Sequence, residues 1–129
     1  MIDVTAAIII RNDRVLAARR APHKEMAGYW EFPGGKVEHG ETPEQSLARE
    51  LEEELSIAVR VDEHFYTNKH DYGQKQIMLI SYLCTWLVGE INLIDHDQIQ
   101  WISASQFSTL NWAPADIPIV ERLYSFLNE

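Results

Sequence analysis

GKVEHGETPEQSLARELEEELSI, residues 35–57, is the stretch from which the rest of the chain is read. Thr42 suits a helix N-cap, Pro43 suits the first helical position, and Gln45 completes a capping box with Thr42. Leu47, Leu51 and Leu55 recur every four residues and form an apolar stripe for burial. Glu50, Glu53 and Glu54 lie off that stripe. Residues three and four apart share a helix face, so the three carboxylates are expected to point the same way. Three like charges on one edge repel. A divalent cation is the simplest offset, since hard cations take carboxylate oxygens and sit beside substrate phosphates. The leucines anchor the helix and the glutamates predict a metal face.

The spacing extends beyond the helix. Gly35 is followed after five residues by Glu41, and after seven more by Arg49-Glu50-Leu51, then Glu53-Glu54 and Ile57. This pattern resembles the Nudix box. If each fixed type occurs at roughly one position in fifteen, six matches in one register arise by chance about once in ten million. The departure is Ser56, where the family usually has glycine. A helix C-cap prefers a left-handed residue, so Ser56 predicts a slightly altered helix end and an intact metal face. The resemblance implies that Glu50, Glu53 and Glu54 hold Mg²⁺ or Mn²⁺ together with the carbonyl of Gly34. Arg49 is expected to pair with a box carboxylate and fix its rotamer, and Glu41 to brace the loop.

Composition bounds the rest. With 129 residues and 46% apolar content, the chain reads as one globular domain over residues 1–129. A net charge of −9 argues against a nucleic-acid polymer, which calls for a basic patch. It does not argue against a nucleotide, where local cations and metals decide. The one cysteine, Cys84, sits in an apolar run and reads as a buried thiol in a reduced compartment. No signal pattern opens the chain and no run approaches a membrane span. The expectation is a soluble cytoplasmic protein, monomer or homodimer.

In chain order, residues 2–10 and 15–20 predict a hairpin around a turn at residues 11–14. Arg19-Arg20 closes the second strand. Such a pair is either solvated or, beside a metal-phosphate site, a phosphate grip; in the MutT branch of the family the position of Arg20 lies near the substrate phosphates. Residues 30–32 predict a short strand broken by Pro33-Gly34-Gly35, where glycines permit unusual backbone geometry and close approach to a ligand. Trp30 reads as core, Phe32 lies where the branch places a base, and Lys36 is a candidate phosphate contact. Residues 57–61 predict a strand, and residues 62–75 strand ends around a loop at Gly73. His64 and His70 in that segment read as solvated rather than metal-binding. Residues 77–88 predict a strand buried on both faces. Lys75, just before it, falls where the MutT branch has a cation near the base.

Asp95-His96-Asp97 reads either as a solvated loop or, through Asp95 six residues before Trp101, as an extra metal ligand implied by the resemblance. The family usually has glutamate there, one methylene longer. Residues 101–102 predict a short strand and residues 103–107 a helical turn. A last helix, residues 117–127, presents Ile117, Val120, Leu123, Tyr124 and Leu127 as its stripe. Asp116 is either its N-cap or a base-reading group. An ionised Asp only accepts hydrogen bonds and suits an exocyclic amine such as cytosine N4. The run Ala113-Pro114-Ala115-Asp116-Ile117-Pro118 resembles the CTP pyrophosphohydrolase branch.

The fold implied is an α/β/α sandwich, a mixed sheet between the box helix and the C-terminal helix. The implied activity is metal-dependent hydrolysis of a nucleoside triphosphate to monophosphate and pyrophosphate, on a cytidine-type or modified nucleotide, for nucleotide-pool housekeeping. Glu50, Glu53 and Glu54 are the catalytic candidates, Glu50 also for general base. The alternatives are an 8-oxo-dGTP diphosphatase, a broad nucleotide hydrolase, and a non-catalytic nucleotide sensor.

Overall fold

In the computed structural model, which describes residues 1–128, strand β1 (Ile2–Arg11) runs through a mixed sheet of seven strands. Successive residues of a strand point to opposite faces, and β1 is apolar on both. Ala6 and Ile8 face one core and Ala7 and Ile9 the other. Each face therefore needs a cover. The helix α1 (Pro43–Leu55) covers one with Leu47, Leu51 and Leu55, all fully buried. The helix α2 (Ile117–Leu127) covers the other with Ile119, Val120 and Leu123. Truncating one of these leucines to alanine costs about 2–5 kcal/mol. The result is the expected α/β/α sandwich.

Strand β6 (Gln76–Val88) pairs parallel with β1, Ile2 opposite Ile77 through Ile9 opposite Cys84. Strand β5 (Ala58–Asp71) lies antiparallel on its far side. On the other edge of β1 sit β4 (Gly34–Lys36) and β2 (Arg14–Arg20), both antiparallel. Strands β3 (Trp30–Glu31) and β7 (His96–Ile102) flank β2. Asn12 and Asp13 turn β1 into β2 with φ of 53° and 61°, the left-handed conformation that short hairpin turns require and these residues tolerate. Among the described residues no helix is long and apolar enough to cross a membrane.

Helix α1 begins as its sequence predicts, but its end is not altered: Ser56 takes the left-handed cap that glycine usually fills. Thr42 and Gln45 make both bonds of the capping box, and Ser56 closes the helix at φ 61° with its N–H on Glu52 O. A left-handed non-glycine residue costs roughly 1–2 kcal/mol, and the helix holds regardless. Trp30 is core, and burial pushes the Cys84 thiol up to about 12, which keeps it inert.

Four further expectations change. The strand break falls at Phe32-Pro33 rather than on the glycines, and Gly34 and Gly35 form β4 against β1. The strand ends around Gly73 stand as read, but the strand is longer: β5 runs unbroken from Ala58 to Asp71, with register shifts against β6 near His64. His96 and Asp97 belong to β7 rather than to a polar loop. In α2, Ile117 and Tyr124 are 42% and 52% exposed, and Ile119 takes the buried place. Both sets of residues have helical spacing, and the sheet selects between them.

Candidate active site

A cavity of about 680 Å³ opens between β4, the second half of α1, the β2–β3 edge and the start of α2. Its acidic wall comes from α1, where Glu50 and Glu54, four residues apart, both line it. Glu50 packs against Gly35, and its Oε1 accepts from Arg49 Nη1 at 3.1 Å. Burial raises its pKa and Arg49 works against that. Glu54 is deeper, and its Oε2 is buried with no hydrogen-bond partner. Burial, then the like charges of Glu50, Glu31 and Asp95, push its pKa up to about 8. Glu53 does not line the cavity; its carboxylate is 59% exposed and accepts from Arg49 Nη1 at 3.0 Å.

Arg49 organises this wall. Its Nε and Nη2 donate to Glu41 at 2.7 and 2.9 Å, and Nη2 also to Lys36 O at 3.3 Å. This two-donor grip holds the Glu41 carboxyl down at about 2 and raises the guanidinium above its usual range. Glu41 in turn accepts from Glu38 N at 3.0 Å, so loop, helix and Glu50 are tied through one arginine.

The opposite wall carries charges from distant segments. Arg20 donates from Nη1 to both Glu31 oxygens at 3.1 Å and from Nε to Glu25 O at 2.6 Å. His96 is buried in β7, with Nε2 2.9 Å from Glu31 Oε2 and Nδ1 without a partner. Asp95 lines the cavity 3.7 Å from Lys24 Nζ. Lys36 and Lys75 line it with no salt-bridge partner among the described residues. At the far end Phe32 stacks on Trp112 at 4.9 Å between centroids. Its N–H donates to Asp116 Oδ2 at 3.0 Å.

Asp116 is 5% exposed and makes no side-chain bond to the helix it precedes. Burial first, then Glu31, raises its pKa well above the usual carboxylate range. From the sequence this group is expected to be an ionised acceptor. Burial favours the neutral acid, which also donates. His64 and His70 stand apart from the cavity, against Tyr82 and Tyr72 respectively.

The donor set suits a hard divalent ion. Among the described residues no three Asp, Glu, His or Cys side chains already form a closed cage. Mg²⁺ does not need one: it keeps waters and binds through one or two carboxylates plus substrate phosphates. Glu54 offers a buried oxygen without a partner beside Glu50, which is the arrangement such an ion would satisfy.

Sequence reasoning gave no role to Glu31, Tyr72 or His96. Glu31 had one visible signal, a charge between Trp30 and Phe32 in an apolar strand. Nothing in the chain marks His96 as its partner 65 residues away.

The NUDIX domain family matches residues 1–123. The CTP pyrophosphohydrolase of Escherichia coli K12 is 38% identical over 121 residues, 94% of this chain and 90% of that protein. The 8-oxo-dGTP diphosphatase of the same organism is 34% identical over 117 residues, 89% of this chain and 91% of that one. The solution structure of the E. coli ORF135 protein superposes with a TM-score of 0.84 at 36% identity, covering 98% of this chain and 90% of that one. The MutT protein of Methanosarcina mazei Go1 shares the fold, with a TM-score of 0.86 at 24% identity over 99% of this chain and 95% of that one.

Proposed function

The chain belongs to the NUDIX family, and we propose that it is a metal-dependent pyrophosphohydrolase of nucleoside triphosphates, acting in nucleotide-pool housekeeping on a cytidine-type or modified nucleotide. The observation that carries this reading is one cavity with two carboxylates from the box helix at one end and a buried carboxyl beside a stacked aromatic pair at the other. A triphosphate spans such a space, phosphates at the carboxylate end and base at the Asp116 end.

Glu50 and Glu54, with the Gly34 carbonyl and Asp95, would hold Mg²⁺ or Mn²⁺, with Glu53 as the third carboxylate of the same helix. When bound, the ion lowers the pKa of a bound water and neutralises phosphate charge. Lys36 supplies further positive charge for the triphosphate, Arg20 a guanidinium already oriented by Glu31, and Lys75 a cation near the base. Water attacks phosphorus, its proton passes to Glu50, and the phosphoanhydride bond breaks to release pyrophosphate and the monophosphate. Arg49 holds Glu50 in place for that transfer.

At the base end, neutral Asp116 offers an O–H donor and a carbonyl acceptor. That pair matches N3 and N4 of cytosine, an acceptor and a donor. It matches O6 and N7–H of oxidised guanine equally, so the buried neutral acid also favours an 8-oxo-dGTP diphosphatase as second reading. Both name the same chemistry and the same residues.

A pyrophosphate-release screen with Mg²⁺, across canonical and modified (deoxy)nucleoside triphosphates, tests the proposal. A lead for CTP, dCTP or 5-substituted dCTP supports the cytidine reading, and a lead for 8-oxo-dGTP the second. No release from any of them refutes the hydrolase reading and leaves a nucleotide-binding sensor.

A further inference from the structure

The tip of the β5–β6 hairpin, residues 72–75, meets the short turn Pro114–Asp116 that leads into α2. Two side chains make the join. Tyr72 Oη accepts from Ala115 N at 3.1 Å, and Asn68 Nδ2 donates to Ala115 O at 3.0 Å. Ala115 is 2% exposed. Its buried N–H and C=O therefore need partners, and both come from the neighbouring β5–β6 hairpin rather than from the helix.

The clasp is itself held. Tyr72 N–H donates to Lys75 O at 2.8 Å and Gly73 N–H to Asp71 Oδ1 at 2.7 Å, which closes the hairpin tip. The His70 ring packs edge-on against Tyr72 at 4.3 Å between centroids. The next residue after Ala115 is Asp116, pinned on its other side by Phe32 N–H. Tyr72, Lys75, Ala115 and Asp116 all line the cavity.

We propose that Asn68 and Tyr72 are positioning residues for base selection: by holding both backbone groups of Ala115 they fix where the Asp116 carboxyl meets the base. This rests on the reading of Asp116 as the base-reading group. A shift of the Ala115 peptide would carry the Asp116 carboxyl with it, away from a hydrogen-bonding edge that tolerates little displacement. The phosphate end, built on α1 and β4, shares no hydrogen bond with this clasp. Losing the clasp therefore acts on base preference and KM more than on kcat.

Tyr72→Phe removes one oxygen and leaves the ring in place; Asn68→Ala removes the second bond. Each is compared with wild type by kcat and KM on the best and the poorest nucleotide of the screen, with melting temperature measured alongside. The preference, as the ratio of kcat/KM values, falls roughly fivefold in either variant, the size of one lost hydrogen bond. In an Asp116→Ala background, Tyr72→Phe leaves the ratio where Asp116→Ala alone put it. If Asp116→Ala collapses the preference while neither Tyr72→Phe nor Asn68→Ala moves it, the positioning role is wrong and the base reading stands. If Asp116→Ala leaves the preference at the wild-type value, the base reading falls and takes the clasp with it.

Discussion

Gly35 and Glu50 are in contact: a Cβ built on Gly35 would lie 2.3 Å from the carboxyl carbon of Glu50. Gly34, one residue earlier, faces the other way, and a Cβ there would lie 2.0 Å from the backbone oxygen of Thr5. Neither glycine is needed for a left-handed backbone, since both lie in β4 and neither has a positive φ. They are needed for space, one for a side chain and one for a strand.

The two positions therefore fail differently. Gly35→Ala pushes aside the end of a flexible side chain, so the protein folds while Glu50 is displaced and turnover falls by about tenfold or more. Gly34→Ala drives into backbone and lowers stability first, by about 1–3 kcal/mol. Paired melting curves and rates separate the two; equal losses of stability would contradict the contact with Glu50 as the basis of the effect.

Arg49 distinguishes a fork from a point charge. Lysine keeps the charge but cannot grip Glu41 and reach Glu50 and Lys36 O at once. Arg49→Lys is expected to lower kcat by about tenfold with a melting temperature within a few degrees of wild type. Retained activity would mean that the orientation of Glu50 is set elsewhere.

Glu54 makes stability depend on pH in a defined direction. Its carboxyl ionises near 4.5 when unfolded and at about 8 in the fold. Between those values the native state keeps a proton that the unfolded chain has lost, so raising pH favours unfolding. Its contribution is fully present below about 4.5 and is lost as pH approaches 8; raised Asp116 acts with the same sign. Chelator-treated protein should melt progressively lower across that window, and Glu54→Gln should flatten the slope. Mg²⁺ should raise the melting temperature more at the upper end of the window than at the lower. Identical slopes for wild type and Glu54→Gln would contradict this environment for the carboxyl.

Asp116 separates a neutral reader from an ionised one. Asparagine keeps an acceptor for Phe32 N–H and a donor for the base, so Asp116→Asn should preserve base preference and hold it as pH rises. Asp116→Ala leaves the Phe32 N–H unpaired, costs about 1–3 kcal/mol, and erases the preference. Loss of preference in Asp116→Asn at neutral pH would mean that the ionised carboxylate reads the base.

The helix α1 was legible because its signals are local: a capping box, a proline at the first position and leucines at a four-residue period. The two-faced sheet was legible in the apolar runs of β1 and β6. The orientation of the three glutamates was only half legible. Glu50 and Glu54 differ by about 40° around a helix and share the cavity, whereas Glu53 stands about 100° from Glu54 and turns to Arg49 instead. Sharing a helix face did not mean lining the same cavity. Glu31 with His96, and Tyr72 with Ala115, join segments 65 and 43 residues apart, which no local period encodes. The protonation of Asp116 depends on burial, which its neighbours in sequence do not reveal.

The most direct test is pyrophosphate release from the best triphosphate of the screen, by wild type and Glu54→Gln, with Mg²⁺ and with chelator. Wild type should release stoichiometric pyrophosphate and monophosphate only with metal, and folded Glu54→Gln should lose about a hundredfold or more. Release that persists in chelator, or a Glu54→Gln rate within a few-fold of wild type, would contradict the carboxylate end of this cavity as the catalytic centre.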